Sequence, residues 1–200
     1  MLNFKFLEKK FFHLLLLLLI SFTLIFVGFK VAVNLQTKKL ESFVNQINKI
    51  GYDTATKQAE QIYKKSYFNS HKALYLVMLF NRYTNQQDWD SALNTLDKLI
   101  NLKTDNKAIQ DIAKLHKASI MLNNTEKFSL NTINDTLDLK INSPFYYQAQ
   151  TIKIQGLIAF GHTKEAQDLI DVFLNEKEKL PQSFTNFLHN VDYALNYNKN

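Results

Sequence analysis

Residues 85–99 read NQQDWDSALNTLDKL. Two glutamines and an aspartate interrupt an apolar pattern, and Trp89, the one tryptophan of the chain, comes before the small residue Ala92. Asp88 has the short acceptor side chain that caps a helix N-terminus. Ala92, Leu96 and Ile100 then recur at a spacing of four, one face of a helix. The stretch is therefore a bend between two helices, and Trp89 is placed there as packing at the bend rather than as a ligand contact, since aromatic rings mostly bury apolar area.

The same pattern returns along the chain. From Ala92, equal steps of 37 residues lead to Ser129 and then to Ala166. Leu96, Ile133 and Ile170 follow each by four; Ile100, Leu137 and Leu174 follow by eight. Tyr83, Ile120 and Leu157 precede each by nine, and the turn positions five before are Gln87, Asn124 and Gly161. A fixed period with small-then-apolar spacing predicts an all-α array of helical hairpins. The repeat pairs fall near 70–101, 106–138 and 145–178 within a domain over 53–197. Their first helices are expected near 70–85, 106–122 and 145–160, their second near 88–101, 126–138 and 163–178. Thr125 is a second expected N-cap, Ser143-Pro144 opens the third pair, and Pro181 opens a closing helix over 182–197. A helix at 54–66 comes before the first pair.

This spacing resembles the tetratricopeptide repeat. Tyr83, the Gln87-Asp88-Trp89 turn and Ala92 match that motif's aromatic, turn and alanine, while Ser129 and Ala166 hold the alanine position and Gly161 the turn glycine. The resemblance implies that the small residue sits where paired helices cross closely. Phe80, Lys117 and Ile154 stand where the motif prefers a small residue, which implies a compact, slightly irregular stack.

The N-terminal part has another character. After a short tail (1–10) comes FFHLLLLLLISFTLIFVGF, residues 11–29. Nineteen residues at ~1.5 Å rise reach about 28 Å, close to a bilayer's hydrocarbon core. No small-x-small cleavage site follows, so residues 11–33 are expected to be an uncleaved transmembrane anchor rather than a signal peptide. A short tail before a long polar domain fits a cytoplasmic N-terminus and an exported C-terminal part. Leu40, Phe43, Val44, Ile47 and Ile50 form one apolar stripe, predicting a helical stalk over 34–52 that ends at Gly51.

Taken together, one span followed by three helix pairs resembles the YfgM-like family, ancillary subunits of the bacterial Sec translocon. The likeness is densest in residues 55–99, ATKQAEQIYKKSYFNSHKALYLVMLFNRYTNQQDWDSALNTLDKL, with Tyr67, Ala73, Leu74 and Leu76 in the corresponding places, and again in AFGHTKEAQDLI, 159–170. It implies localisation to the bacterial inner membrane with the repeat domain in the periplasm. The partners it implies are Sec translocon subunits and a membrane-bound periplasmic chaperone.

Composition narrows the other classes. The chain has 200 residues, 46% of them hydrophobic, with four glycines, two prolines and no cysteine, which favours helices and excludes disulfides and lipoprotein anchoring. The net charge is +6, but Arg82 is the sole arginine and the lysines interleave with eighteen acids, a pattern that argues against nucleic acid. The five histidines (13, 71, 116, 162, 189) make no metal-ligand pair; His162 and Glu165 share a helical face, read as solvated or capping. Asp88, Asp90 and Asp97 read as a cap and exposed helix positions. No serine elbow and no glycine-rich phosphate loop is present. The chain is read as non-enzymatic, without catalytic residues, cofactor or metal, and no partner-binding residues are assigned. Phe145, Tyr146 and Tyr147 form an aromatic cluster that is either core or a partner-facing patch. A structural assembly factor acting through its membrane span is the alternative function. A secreted enzyme released by signal cleavage is a third reading.

Overall fold

The computed structural model describes residues 21, 25–39, 41–43, 45, 52–175 and 180–197. Among them there are nine helical segments and no strand: α1 (helical over 25–39 and 41–43), α2 (Tyr52–Lys65), α3 (Asn69–Asn85), α4 (Trp89–Ile100), α5 (Lys107–Leu122), α6 (Leu130–Thr136), α7 (Tyr146–Ala159), α8 (Thr163–Asn175) and α9 (Gln182–Tyr197). The tail 1–10, most of the expected anchor 11–33 and the end of the stalk with Gly51 lie outside the described residues. Among the described residues no helix is long and apolar enough to cross a membrane.

The chain divides into two compact units between Lys72 and Ala73. That boundary falls inside α3, not at residue 53 where the sequence reading begins the repeat domain. Side-chain contacts within the first unit explain the difference. Phe29 of α1 meets Phe68 edge to face at 5.3 Å, and Gln36 of α1 hydrogen-bonds His71 at 3.2 Å. These contacts tie the α2–α3 corner to α1. Phe43, Ala55 and Ala59 are buried.

Among the described residues of the second unit, the helices with substantial contact are near neighbours in the chain. α5 contacts α4, α6 and α7; α7 contacts α6, α8 and α9; α8 contacts α9. The first helices of successive pairs thus stack on one another, with the second helices between them. One core cluster joins Ala118, Met121, Ile133, Leu137, Leu139 and Ala149; the next joins Ile154, Leu157, Ala166, Ile170, Phe173, Phe184 and Leu188. α7 contributes to both clusters, which is why its sequence lacks a clean polar face: a helix touched on several sides is apolar nearly all round. A chain of small cores, each shared by neighbours, is the arrangement of a quasi-one-dimensional stack.

The bends show how alike the repeats are. At the first, Asp88 N–H donates to Tyr83 C=O at 2.9 Å and Gln87 N–H to Thr84 C=O at 3.0 Å. At the third, His162 N–H donates to Leu157 C=O at 2.8 Å and Gly161 N–H to Ile158 C=O at 3.0 Å. These are paired 6→1 and 5→2 bonds, the Schellman end of a helix. Such an end needs a left-handed residue, and Gln87 (φ 57°) and Gly161 (φ 80°) supply it at aligned positions. Asp88 then caps α4 by accepting from Ser91 N–H at 3.1 Å.

The middle pair departs from this. Residues 123–127 are turns, with Lys127 N–H bonded to Asn124 C=O at 2.9 Å, and α6 starts only at Leu130. The N-cap is Ser129, not Thr125: its Oγ accepts from Thr132 N–H at 3.2 Å and exchanges a 2.8 Å hydrogen bond with the Thr132 hydroxyl. Two bonds to one cap outweigh the weak helix preference of the Asn-Asn-Thr run before it. Apolar registration survives the change, for Leu96, Ile133 and Ile170 are all buried at their repeat positions.

Candidate functional site

Ala92 and Ala166, each in the second turn of its helix, are fully buried. Ser129 occupies the same position in the 37-residue spacing but is an exposed cap residue, so the third small residue is absent from the helix crossing. Tyr83 is half-buried and carries the carbonyl of the first Schellman bond. Trp89 is the first residue of α4 and stays 40% exposed. No earlier turn of the helix covers it.

Two hollows open side by side in the second unit. The first, about 590 Å³, lies between α5 and the segment leading into α7. Gln110 anchors its wall by donating to Ile100 C=O at 3.1 Å and Leu102 C=O at 2.8 Å, which pins the α4–α5 loop. Asp111 accepts from the Ser143 hydroxyl at 2.6 Å, and Ser143 Oγ in turn accepts from Phe145 N–H at 3.2 Å. Lys114 Nζ donates to the Asp138 carbonyl at 3.1 Å. Lys107 and Lys140 add positive charge, so this hollow is polar with a positive excess.

The second hollow, about 470 Å³, is aromatic. Tyr147, Phe184 and Phe187 line it, with Pro144 and Pro181 at its edges. Tyr147 stacks tilted on Phe184 at 5.0 Å, and Phe184 meets Phe173 edge to face at 5.1 Å, so the wall is held by the core behind it. Pro144 lines both hollows, so the polar one and the aromatic one adjoin, and together they are the groove. The aromatic cluster therefore divides its work. Phe145 and Tyr146 pack on the two cores, while Tyr147 packs on a core and also faces the groove. The sequence missed the groove because its lining comes from segments forty residues apart; the two prolines, one just before the first helix of the third pair and one just before the closing helix, were the available signal.

His162 Nδ1 and Glu165 Oε1 are 2.6 Å apart in solvent. Among the described residues no group of three His, Cys, Asp or Glu side chains could hold a metal ion. Burial against Phe80, with ring centroids 5.1 Å apart, holds His116 below the usual histidine pKa. Burial raises the Tyr75 phenol above its ordinary value. Both groups belong to packing.

No family model, curated protein or solved structure matches this chain.

Proposed function

We propose that this chain is a non-catalytic, membrane-anchored module for protein–protein interaction, built as a tetratricopeptide-like array. The observation that carries the reading is the pair of adjoining hollows that share Pro144, one polar and one aromatic. Aromatic anchors beside polar, satisfied hydrogen bonds are the composition of a surface that captures protein. Paired Schellman bends and the buried Ala92 and Ala166 support the tetratricopeptide-like assignment. Most of α1 from Ile25 to Leu35 shows apolar side chains outward, which supports continuation of a lipid-embedded segment from residues 11–33.

The family resemblance supplies the finer reading. The module is an accessory subunit of the Sec translocon or of an envelope chaperone network, in the bacterial inner membrane, with its N-terminus cytoplasmic and its groove in the periplasm. Anchoring in two dimensions raises its effective concentration beside a membrane partner. The exposed apolar side of α1 also favours a second reading, an assembly factor that acts through the span itself.

Exchanging residues 11–33 for an unrelated span separates the two. A groove-driven binder keeps its co-purified partner after the exchange and loses it when Gln148→Arg and Ser183→Arg crowd the aromatic hollow. Loss of the partner on span exchange, with no effect of the groove substitutions, would establish the assembly factor instead.

A further inference from the structure

The first unit carries a feature that neither core packing nor the groove uses. Where α2 ends and α3 begins, a hollow of about 670 Å³ is lined by Lys39, Lys64, Lys65, Ser66, Tyr67 and Lys72. Four ammonium groups border it, and no carboxylate of a described residue does. Among the described residues, neither ion pair of the structure involves these lysines. Like charges gathered around one solvent-filled space repel, and a counter-charge seated there relieves the repulsion.

Its depth along α1 indicates which counter-charge. Ile25, Phe26, Val27, Phe29, Val31 and Leu35 are each more than half exposed, an apolar surface that water does not suit. With residues 11–29 spanning the hydrocarbon core, Phe29 and its partner Phe68 lie at the edge of that core, and Gln36 and its partner His71 lie seven residues further on, about 10 Å of helix rise. The headgroup layer, roughly 5–7 Å thick on each side, falls between those two contacts, where the corner is. The Phe29–Phe68 and Gln36–His71 contacts hold the α2–α3 corner beside this part of α1. Tyr67, on the corner itself, is 85% exposed. An exposed tyrosine among lysines, just past an apolar helix, is the arrangement of a membrane–water interface.

We propose that this hollow seats the headgroups of anionic lipids, so that the α2–α3 corner docks on the bilayer surface as a second attachment. The proposal takes its depth from the reading of residues 11–33 as an anchor. Lysines in the headgroup layer each change surface partitioning by roughly fivefold, and the salt dependence follows from screening.

The test uses the full chain with vesicles of neutral phosphatidylcholine, or of the same lipid with about 30% phosphatidylglycerol. Amine acetylation read by mass spectrometry reports Lys39, Lys64, Lys65 and Lys72, with Lys114 and Lys140 as internal references. The expected result is incorporation into both vesicles, with labelling of the four lysines lowered several-fold only in the anionic ones and restored by high salt. Lys64→Gln with Lys65→Gln weakens the dock roughly twenty-fold and re-exposes Lys39 and Lys72. Equal labelling in both vesicle types overturns the proposal. So does equal protection by inorganic phosphate in neutral vesicles, which would mark a small-anion site. Salt-sensitive binding to anionic vesicles without incorporation into neutral ones keeps the dock and removes the anchor; binding to neither removes both.

Discussion

Replacing Ala92 by leucine tests the repeat geometry at a fully buried small residue. Ala92 is fully buried in the second turn of α4, with Leu96 and Leu99 buried beyond it. An isobutyl group has no room to enter, so overpacking should destabilise the second unit by about 1–3 kcal/mol. With a urea m-value of about 1.5 kcal/mol per molar, the midpoint falls by roughly 0.7–2 M. Ser129→Leu, at the equivalent place in the sequence, should behave differently. It removes an N-cap from the short helix α6 and meets no core, a loss of about 1 kcal/mol. Trp89, the sole tryptophan, reports the transition by fluorescence, and midpoints rather than amplitudes are compared because residue 92 is close to it. An unchanged midpoint for Ala92→Leu would refute the helix-crossing argument. A Ser129→Leu cost equal to or above that of Ala92→Leu would refute the distinction drawn between the repeats.

Other consequences can be checked on the same material. Gln87 is a non-glycine residue in the left-handed region, so Gln87→Gly should stabilise by about 1 kcal/mol, whereas Gly161→Ala should destabilise by about 1–2 kcal/mol; thermal melts give both signs. The Lys117–Asp97 pair, 2.6 Å apart between α5 and α4, is partly exposed, so Asp97→Asn should cost under about 1 kcal/mol and less at high salt in urea titrations. His116 has its pKa lowered by burial in the fold, so as pH falls the unfolded chain takes up the proton first. Its contribution is complete above the unfolded value near ~6.5 and is lost as pH drops through the folded one. The wild type should therefore lose more stability than His116→Gln between about pH 7.5 and 5; equal losses would contradict the assignment.

Helices were legible because their apolar faces repeat at helical spacing. α3, α4, α5, α7 and α9 lie within a residue or two of the segments that Leu96, Leu157 and Leu188 and their neighbours mark out. The bends at Gln87 and Gly161 were legible as aligned turn positions, since a Schellman end demands a particular backbone at a fixed place. Position 129 was not legible in the same way. A serine can fill a crossing or cap a helix, and the choice rests on the Thr132 hydroxyl three residues on, a contact that spacing does not register. The unit boundary within α3 was hidden for a similar reason: it depends on Phe68 and His71 meeting Phe29 and Gln36, residues about 35–40 positions earlier. The groove was harder still, because Tyr147 and Phe187 look like any other core aromatics until α7 and α9 are packed together.

Site-specific photocrosslinking in the native membrane tests the central claim most directly. A benzophenone side chain at Gln148 or Ser183 faces the aromatic hollow, and one at Val172, exposed on α8, lies outside the groove lining. The account predicts that Gln148 and Ser183 crosslink to a Sec channel subunit or a membrane-bound chaperone and that Val172 does not. Crosslinking from Val172 alone, or capture at Gln148 and Ser183 of a different membrane complex with no Sec component or chaperone, would contradict it.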